Sequence, residues 1–237
     1  MIAITFALRS ESSEFLRRLD NPKRVTASVS EGRIAGARVC VLHTGVGEKT
    51  TRPRIAEFLR DNTPNSLISS GFAGGLAEDL SAGELLLSEN FSAVDLCAVA
   101  QLALGNFAIR VGQLSTATSI VHSAGERAAR AAAEGAVAVD METKFIAEAC
   151  AARSVPMLSL RVISDTPRAP FPAQPEVLFD IERQRTNYAP LLLHLAAHPT
   201  AIGKFLTFGR QIADARRVLA DALCCLLEHW TIRPPAA

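Results

Sequence analysis

The sequence is poor in several things, and each shortage excludes something. Its 237 residues include one tryptophan, one tyrosine and three methionines, and aromatics make up only 5%. Charge of a single sign is lacking too: 25 Lys and Arg stand against 24 Asp and Glu, a formal net charge of +1. A nucleic-acid binder working through bulk electrostatics needs a basic surplus, so no nucleic-acid partner is expected. No apolar run reaches the ~18 residues that a membrane-spanning helix requires, so no transmembrane segment is expected. The opening Met1-Ile2-Ala3-Ile4-Thr5-Phe6 meets Arg9, Ser10 and Glu11 without a basic n-region or cleavable apolar stretch. That is no signal peptide, and a cytoplasmic location is expected. The five cysteines (Cys40, Cys97, Cys150, Cys224, Cys225) form neither a Cys-x-x-Cys pair nor a disulfide framework. The five histidines do not fall at metal-ligand spacing either, so reduced thiols and no metal are expected.

Hydrophobic residues are plentiful, at 49%, which is enough for a substantial core. Short apolar runs alternate with helical stretches over the first two-thirds. Ile2–Leu8, Arg38–His43, Ser66–Ser70, Glu84–Ser88, Ala108–Leu114, Ala136–Val139 and Pro156–Val162 read as strands. Val25–Val29 and Arg33–Ala35 read as meander partners of Arg38–His43. Ser12–Leu19, Thr51–Asn62, Ser123–Glu134 and Glu142–Arg153 read as helices. Alternation of this kind predicts a three-layer α/β/α fold, its central sheet mixed because some neighbouring strands lack an intervening helix. Pro167–Pro175 carries four of the twelve prolines and reads as a loop. Beyond it, residues 187–232 read as a helical C-terminal extension of a single domain spanning 1–237. Phe205, Phe208, Ile212, Leu219, Leu223, Leu226 and Trp230 form an apolar stripe there, suited to packing on the sheet or to meeting a partner or membrane surface.

Four segments lie just after predicted strands, where ligands collect in open α/β sheets. Glu11 stands at a strand-to-helix junction, as a general base or as a partner of the helix dipole. His43-Thr44-Gly45-Val46-Gly47 has two glycines that permit close backbone approach, or simply a tight turn. Ser70-Gly71-Phe72-Ala73-Gly74-Gly75-Leu76 suits a backbone-lined pocket wall, and is neither a Rossmann fingerprint nor a Walker loop. Val139-Asp140-Met141-Glu142 and Arg161-Val162-Ile163-Ser164-Asp165 each place a carboxylate after an apolar strand, for ligand binding or for capping.

Taken in order, these motifs resemble the nucleoside phosphorylase/nucleosidase superfamily, and within it the bacterial methylthioadenosine/S-adenosylhomocysteine nucleosidases. The resemblance covers residues 1–166. It implies an enzyme that needs no cofactor, a small-molecule purine nucleoside as substrate and a homodimer as the working unit. It implies Glu142 on the ribose hydroxyls with Met141 packed against the sugar. Asp165, oriented by Ser164, would protonate the purine at N7, and Glu11 would activate water. Val46, Phe72, Ala73, Gly74 and Val121 would line the pocket, with Arg161 bracing it. Asp165 would need a raised pKa, which the apolar strand before it favours.

Relatives that use phosphate as co-substrate bind it with arginines, one of them two residues before the glycine matched by Gly71. Ser69 stands there, and the charge of Glu11 would repel phosphate, so water is the expected nucleophile. Arg9 and Arg52 remain within conceivable reach of a phosphate, and an inactive nucleoside-binding protein is a third reading. The stretch between Glu89 and Ala136 is shorter than in methylthioadenosine nucleosidases, leaving Ser115–His122, without an aromatic, in place of a flap. That shortening, the proline-rich loop and the tail Leu191–Leu219 resemble the hopanoid-associated branch, which acts on adenosylhopane. They imply a bulky 5′ substituent.

Overall fold

The computed structural model describes residues 1–172, 179–180, 185–186 and 202–232. Its centre is a ten-stranded mixed sheet. Strands β1 (Ile2–Phe6), β4 (Ala37–His43), β5 (Ser66–Gly75) and β10 (Met157–Asp165) form a parallel core in the order β4-β1-β5-β10. All nine residues of β10 are buried, as an apolar strand covered on both faces should be. β6 (Leu85–Ser88) runs antiparallel to β10 and carries β7 (Ile109–Gly112) on its other side. At the opposite edge, β2 (Asp20–Arg24) and β3 (Val29–Ile34) continue antiparallel from β4. β8 (Leu114–Thr116) pairs with β9 (Ala138–Asp140), which crosses the end of β5 at Gly74 and Gly75. A separate two-residue ladder joins β11 (Phe179–Asp180) and β12 (Arg185–Thr186).

The period-2 alternation of the strands decides the layers. Ile4, Phe6, Val39, Val41, Ile68, Leu158 and Leu160 point to one face, where they meet Phe15 of α1 (Arg9–Leu16), Leu96 of α3 (Val94–Ala103) and Leu219, Leu223, Leu226 and Trp230 of α6 (Ile202–Ile232). Ala3, Cys40, Leu42, Leu67 and Met157 point the other way. They pack on Ile55, Phe58 and Leu59 of α2 (Glu48–Asp61) and on Ile146 and Cys150 of α5 (Thr143–Ala151). The remaining helix, α4 (Ala124–Glu134), lies near the β8–β9 pair. No described helix is long and apolar enough to cross a membrane.

The stripe expected in the tail thus packs on the domain's own sheet through its C-terminal half. Residues 187–201, including His198-Pro199, lie outside the described residues. Three assignments are corrected. Residues 25–28 are not a strand but the turn between β2 and β3, with Val25 and Thr26 donating to the carbonyl of Val29, where β3 begins. β3 is one continuous strand ending at Ile34, where Ala35 and Gly36, both at positive φ, turn it into β4. The run Ala108–Leu114 is two strands with different partners, β7 on β6 and β8 on β9.

Candidate functional site

The carboxyl ends of β1, β4, β5, β9 and β10 converge, and a cavity of about 250 Å³ opens between them. Each of the ten residues expected at a site lines it. Glu11, Val46, Met141 and Glu142 come from the β1, β4 and β9 ends. Phe72, Ala73, Gly74, Ser164 and Asp165 come from β5 and β10, and Val121 from the loop before α4. Leu8, Ile120, Val139, Phe171 and Ile212 add apolar wall, and Ala7, Ser119 and Asp140 complete the lining.

Glu11 sits in the first turn of α1, and its Oε2 accepts from the backbone N–H groups of Ala7 (3.1 Å) and Leu8 (3.2 Å). Burial pushes its carboxyl up in pKa. The Leu8, Phe72 and Ala7 N–H groups and the positive charge of Arg161 oppose that shift. The helix dipole thus uses Glu11, yet the carboxylate also faces the cavity.

Gly47 begins α2 at φ 78°, a conformation that favours glycine, and this turn aims its N–H at Glu142 Oε1, 2.8 Å away. Glu142 caps α5. Burial, with Asp140 and Glu11 nearby, pushes its carboxyl up to about 8. Asp140 also lines the cavity, but its oxygens are engaged elsewhere. Its Oδ1 accepts from Thr116 Oγ1 (2.9 Å), and its Oδ2 meets Arg161 Nη2 (2.9 Å) and both donors of Thr143. Arg161 Nη2 also reaches Ser69 Oγ at 2.8 Å. The arginine therefore braces β5, β9 and β10 from beneath, and Ser69 is one of its anchors.

Gly71 leaves the space for this. At φ 144°, a Cβ built there would stand 3.0 Å from Arg161 Nη1 and 3.1 Å from Glu11 Oε2. Gly71→Ala forces a strained backbone against two buried charged groups. It is expected to cost about 1–3 kcal/mol, read as a lowered midpoint in chemical unfolding.

At the other end, Ser164 Oγ donates to Asp165 Oδ1 at 2.6 Å, and Gln211 Nε2 of α6 donates to the Ser164 carbonyl, also at 2.6 Å. Burial pushes the Asp165 carboxyl up, opposed by Arg127 and Ser164. Arg127, of α4, donates to Asp165 Oδ2 and to the Gly75 carbonyl. Sequence reasoning missed this arginine because it lies in an alanine-rich helix that looks solvated. It also missed Phe171, hidden in a proline-rich loop, which gives the cavity a second aromatic beside Phe72.

The two arginines considered for phosphate lie elsewhere. Arg52 pairs with Glu48 and Glu148 and stacks over Phe145, and Arg9 donates to the Ala27 carbonyl. No arginine, lysine or histidine lines the cavity among the described residues. No cluster of metal-ligating side chains occurs among them either.

Residues 92–197 match the family model described as Phosphorylase superfamily. Among curated proteins, the 5′-methylthioadenosine/S-adenosylhomocysteine nucleosidase of Haemophilus ducreyi is 27% identical over 194 residues, covering 66% of this chain and 81% of that protein. The Shewanella sediminis nucleosidase of the same name is 26% identical over 117 residues, 48% of each chain. Among solved structures, the nucleosidase from S. pneumoniae with the transition-state inhibitor MT-ImmA has a TM-score of 0.72 at 21% identity, covering 96% of this chain and 98% of that one. Native futalosine hydrolase of Helicobacter pylori has a TM-score of 0.71 at 19% identity, covering 96% and 97%. At such identities the structural likeness speaks for the fold, and the family match and curated relatives carry the resemblance. The chain is similar to the phosphorylase superfamily over residues 92–197 and to nucleosidases over a longer stretch, and it is an enzyme.

Proposed function

We propose that the chain hydrolyses the N-glycosidic bond of a purine nucleoside, of adenine type and with a bulky 5′ substituent, releasing the free base. The observation that carries this is one cavity with Glu11 and Glu142 at one end, Asp165 at the other and no cationic side chain among its described lining. Breaking the C1′–N9 bond leaves positive charge on the sugar and an electron pair on the purine. Carboxylates suit the first end and an acid suits the second, as in glycoside hydrolysis generally.

In this mechanism Asp165 donates its proton to purine N7 as the bond lengthens. Glu11 takes a proton from water, whose oxygen bonds to C1′. Glu142 accepts hydrogen bonds from the ribose hydroxyls, and Met141 packs on the sugar. The free base and the hydroxyl sugar leave, Glu11 gives its proton to solvent, and Asp165 regains one from solvent. A phosphate dianion entering beside Glu11 and Glu142 would meet two carboxyl groups and no cationic side chain among the described lining, which favours water.

The 5′ substituent is drawn from the cavity's neighbour. A second hollow, of about 610 Å³, lies between Pro170–Pro172 and Lys204, Thr207 and Phe208 of α6, and shares Phe171 with the first. Phe171 meets Phe208 edge-on at 5.4 Å. A single-domain homodimer is part of the same proposal, and sedimentation velocity tests the assembly.

Adenine release from 5′-substituted adenosines, followed by chromatography, tests the reaction. Release in phosphate-free buffer, with a rate that added phosphate does not raise, is expected. Strict dependence on phosphate would overturn hydrolysis, and no release from any purine nucleoside would overturn catalysis.

A further inference from the structure

Helix α4 sends a single fully buried side chain into the protein, and that side chain is an arginine. Its neighbours are mostly alanines, and Arg130, one turn on, turns outward to Glu134 and Ser115. Arg127 is 1% exposed. Nη1 donates to the Gly75 carbonyl at 2.8 Å, Nη2 pairs with Asp165 Oδ2, and Nε has no hydrogen-bond partner. Anchoring a helix this way is costly, because a buried ion pair rarely beats an apolar side chain of the same volume. A leucine or methionine would hold α4 at least as well. What an apolar anchor cannot supply is a fixed donor on Asp165.

The carboxyl group is held from both sides. Ser164 Oγ occupies Oδ1 and Arg127 occupies Oδ2, so each oxygen keeps further lone-pair capacity for the cavity. Arg127 also ties the acid to α4, whose N-terminal Ser123–Glu126 capping box follows directly on the pocket-lining loop Ser119–Val121.

We propose that Arg127 is a positioning residue for proton delivery, fixing the rotamer of Asp165 through the pair at Oδ2 and the anchor on the Gly75 carbonyl. The role rests on the nucleosidase reading above. The groups around Asp165 are Arg127 from α4, Ser164 from its own strand, Gln211 from α6 and the Gly74–Gly75 backbone of β5. The carboxylates of Glu11 and Glu142 share the cavity at its far end, and Arg161 is engaged with Asp140. His122, at the mouth of α4, faces Glu126.

Asp165 acts in its protonated form, so activity falls as pH rises through its pKa. The positive charge of Arg127 favours the carboxylate, so removing it moves this basic limb to higher pH. Arg127→Met is therefore expected to displace the basic limb of the kcat profile upward. It should also lower kcat on the plateau by roughly tenfold or more, with KM changed far less. Arg127→Lys keeps the charge but not the fork that spans Gly75 and Asp165. It should leave the limb near its original position while kcat stays low, and it serves where the methionine variant does not fold. Infrared spectra add a readout independent of turnover: the protonated-carboxyl band that Asp165→Asn removes should persist to higher pH in Arg127→Met. A folded Arg127→Met with an unshifted limb, unchanged kcat and unmoved band overturns the role of Arg127 alone. A wild-type protein that releases no base overturns the nucleosidase reading and the positioning role with it.

Discussion

Asp165→Asn is expected to lower kcat for base release by about 10²–10⁴-fold, the range that a positioned general acid contributes. The amide keeps the shape of the carboxyl, and its oxygen still accepts from Arg127. It has no proton of suitable acidity to give to N7. Binding of the free base should suffer much less than turnover, so the loss falls on kcat. The substitution also leaves the buried Arg127 charge uncompensated, a situation that costs up to about 3–5 kcal/mol when a buried pair is broken. Thermal unfolding must therefore accompany the kinetics. A folded variant with near-wild-type turnover would remove Asp165 from the mechanism.

The second large effect is on stability. Glu142 is buried, and its carboxyl is pushed up to about 8, whereas an exposed glutamate titrates near 4.5. Between those values the folded chain retains a proton that the unfolded chain has lost, so stability should fall as pH rises across that window. Glu142→Gln removes the titration while keeping an oxygen for the Gly47 N–H. The variant should be more stable than the wild type above about pH 5, by an amount that grows to a few kcal/mol near pH 8. The same variant should turn over slowly, because an amide cannot ionise to meet the positive charge that builds on the sugar. Urea midpoints at several pH values test this, and a difference that is flat with pH would refute it. Gain of stability with loss of activity is the usual mark of a residue kept for its chemistry.

The parts of the molecule that were legible in the sequence are those where chemistry and pattern coincide. β10 reads as a strand because Met157-Leu158-Ser159-Leu160 is short, apolar and followed by polar residues, and the carboxylate that ends it lands in the cavity. The Gly71–Gly75 run reads as a pocket wall because its three glycines allow such close approach. Other parts have no local signal. β2 is Asp-Asn-Pro-Lys-Arg, wholly exposed, and it is a strand only because β3 offers it an edge. α3 lies in a stretch so uniformly apolar that its period is faint. Arg127 sits in a helix whose sequence favours solvent, and its burial follows from an aspartate 38 residues further on. Tertiary partners of that kind leave no trace in spacing.

The strand order has a consequence for how the chain comes to be folded. β5 and β6 are near neighbours in sequence, yet β10 lies between them in the sheet. As the chain leaves the ribosome, both strands emerge with an open, apolar edge that nothing yet made can cover. They must wait until β10 has been translated, and the face they share with β1 and β4 must wait longer still for α6. Native contacts here join distant parts of the sequence, which makes folding slow and leaves early intermediates sticky. A nascent chain stalled before Met157 should therefore associate with holdase chaperones, and release past Trp230 should end that dependence.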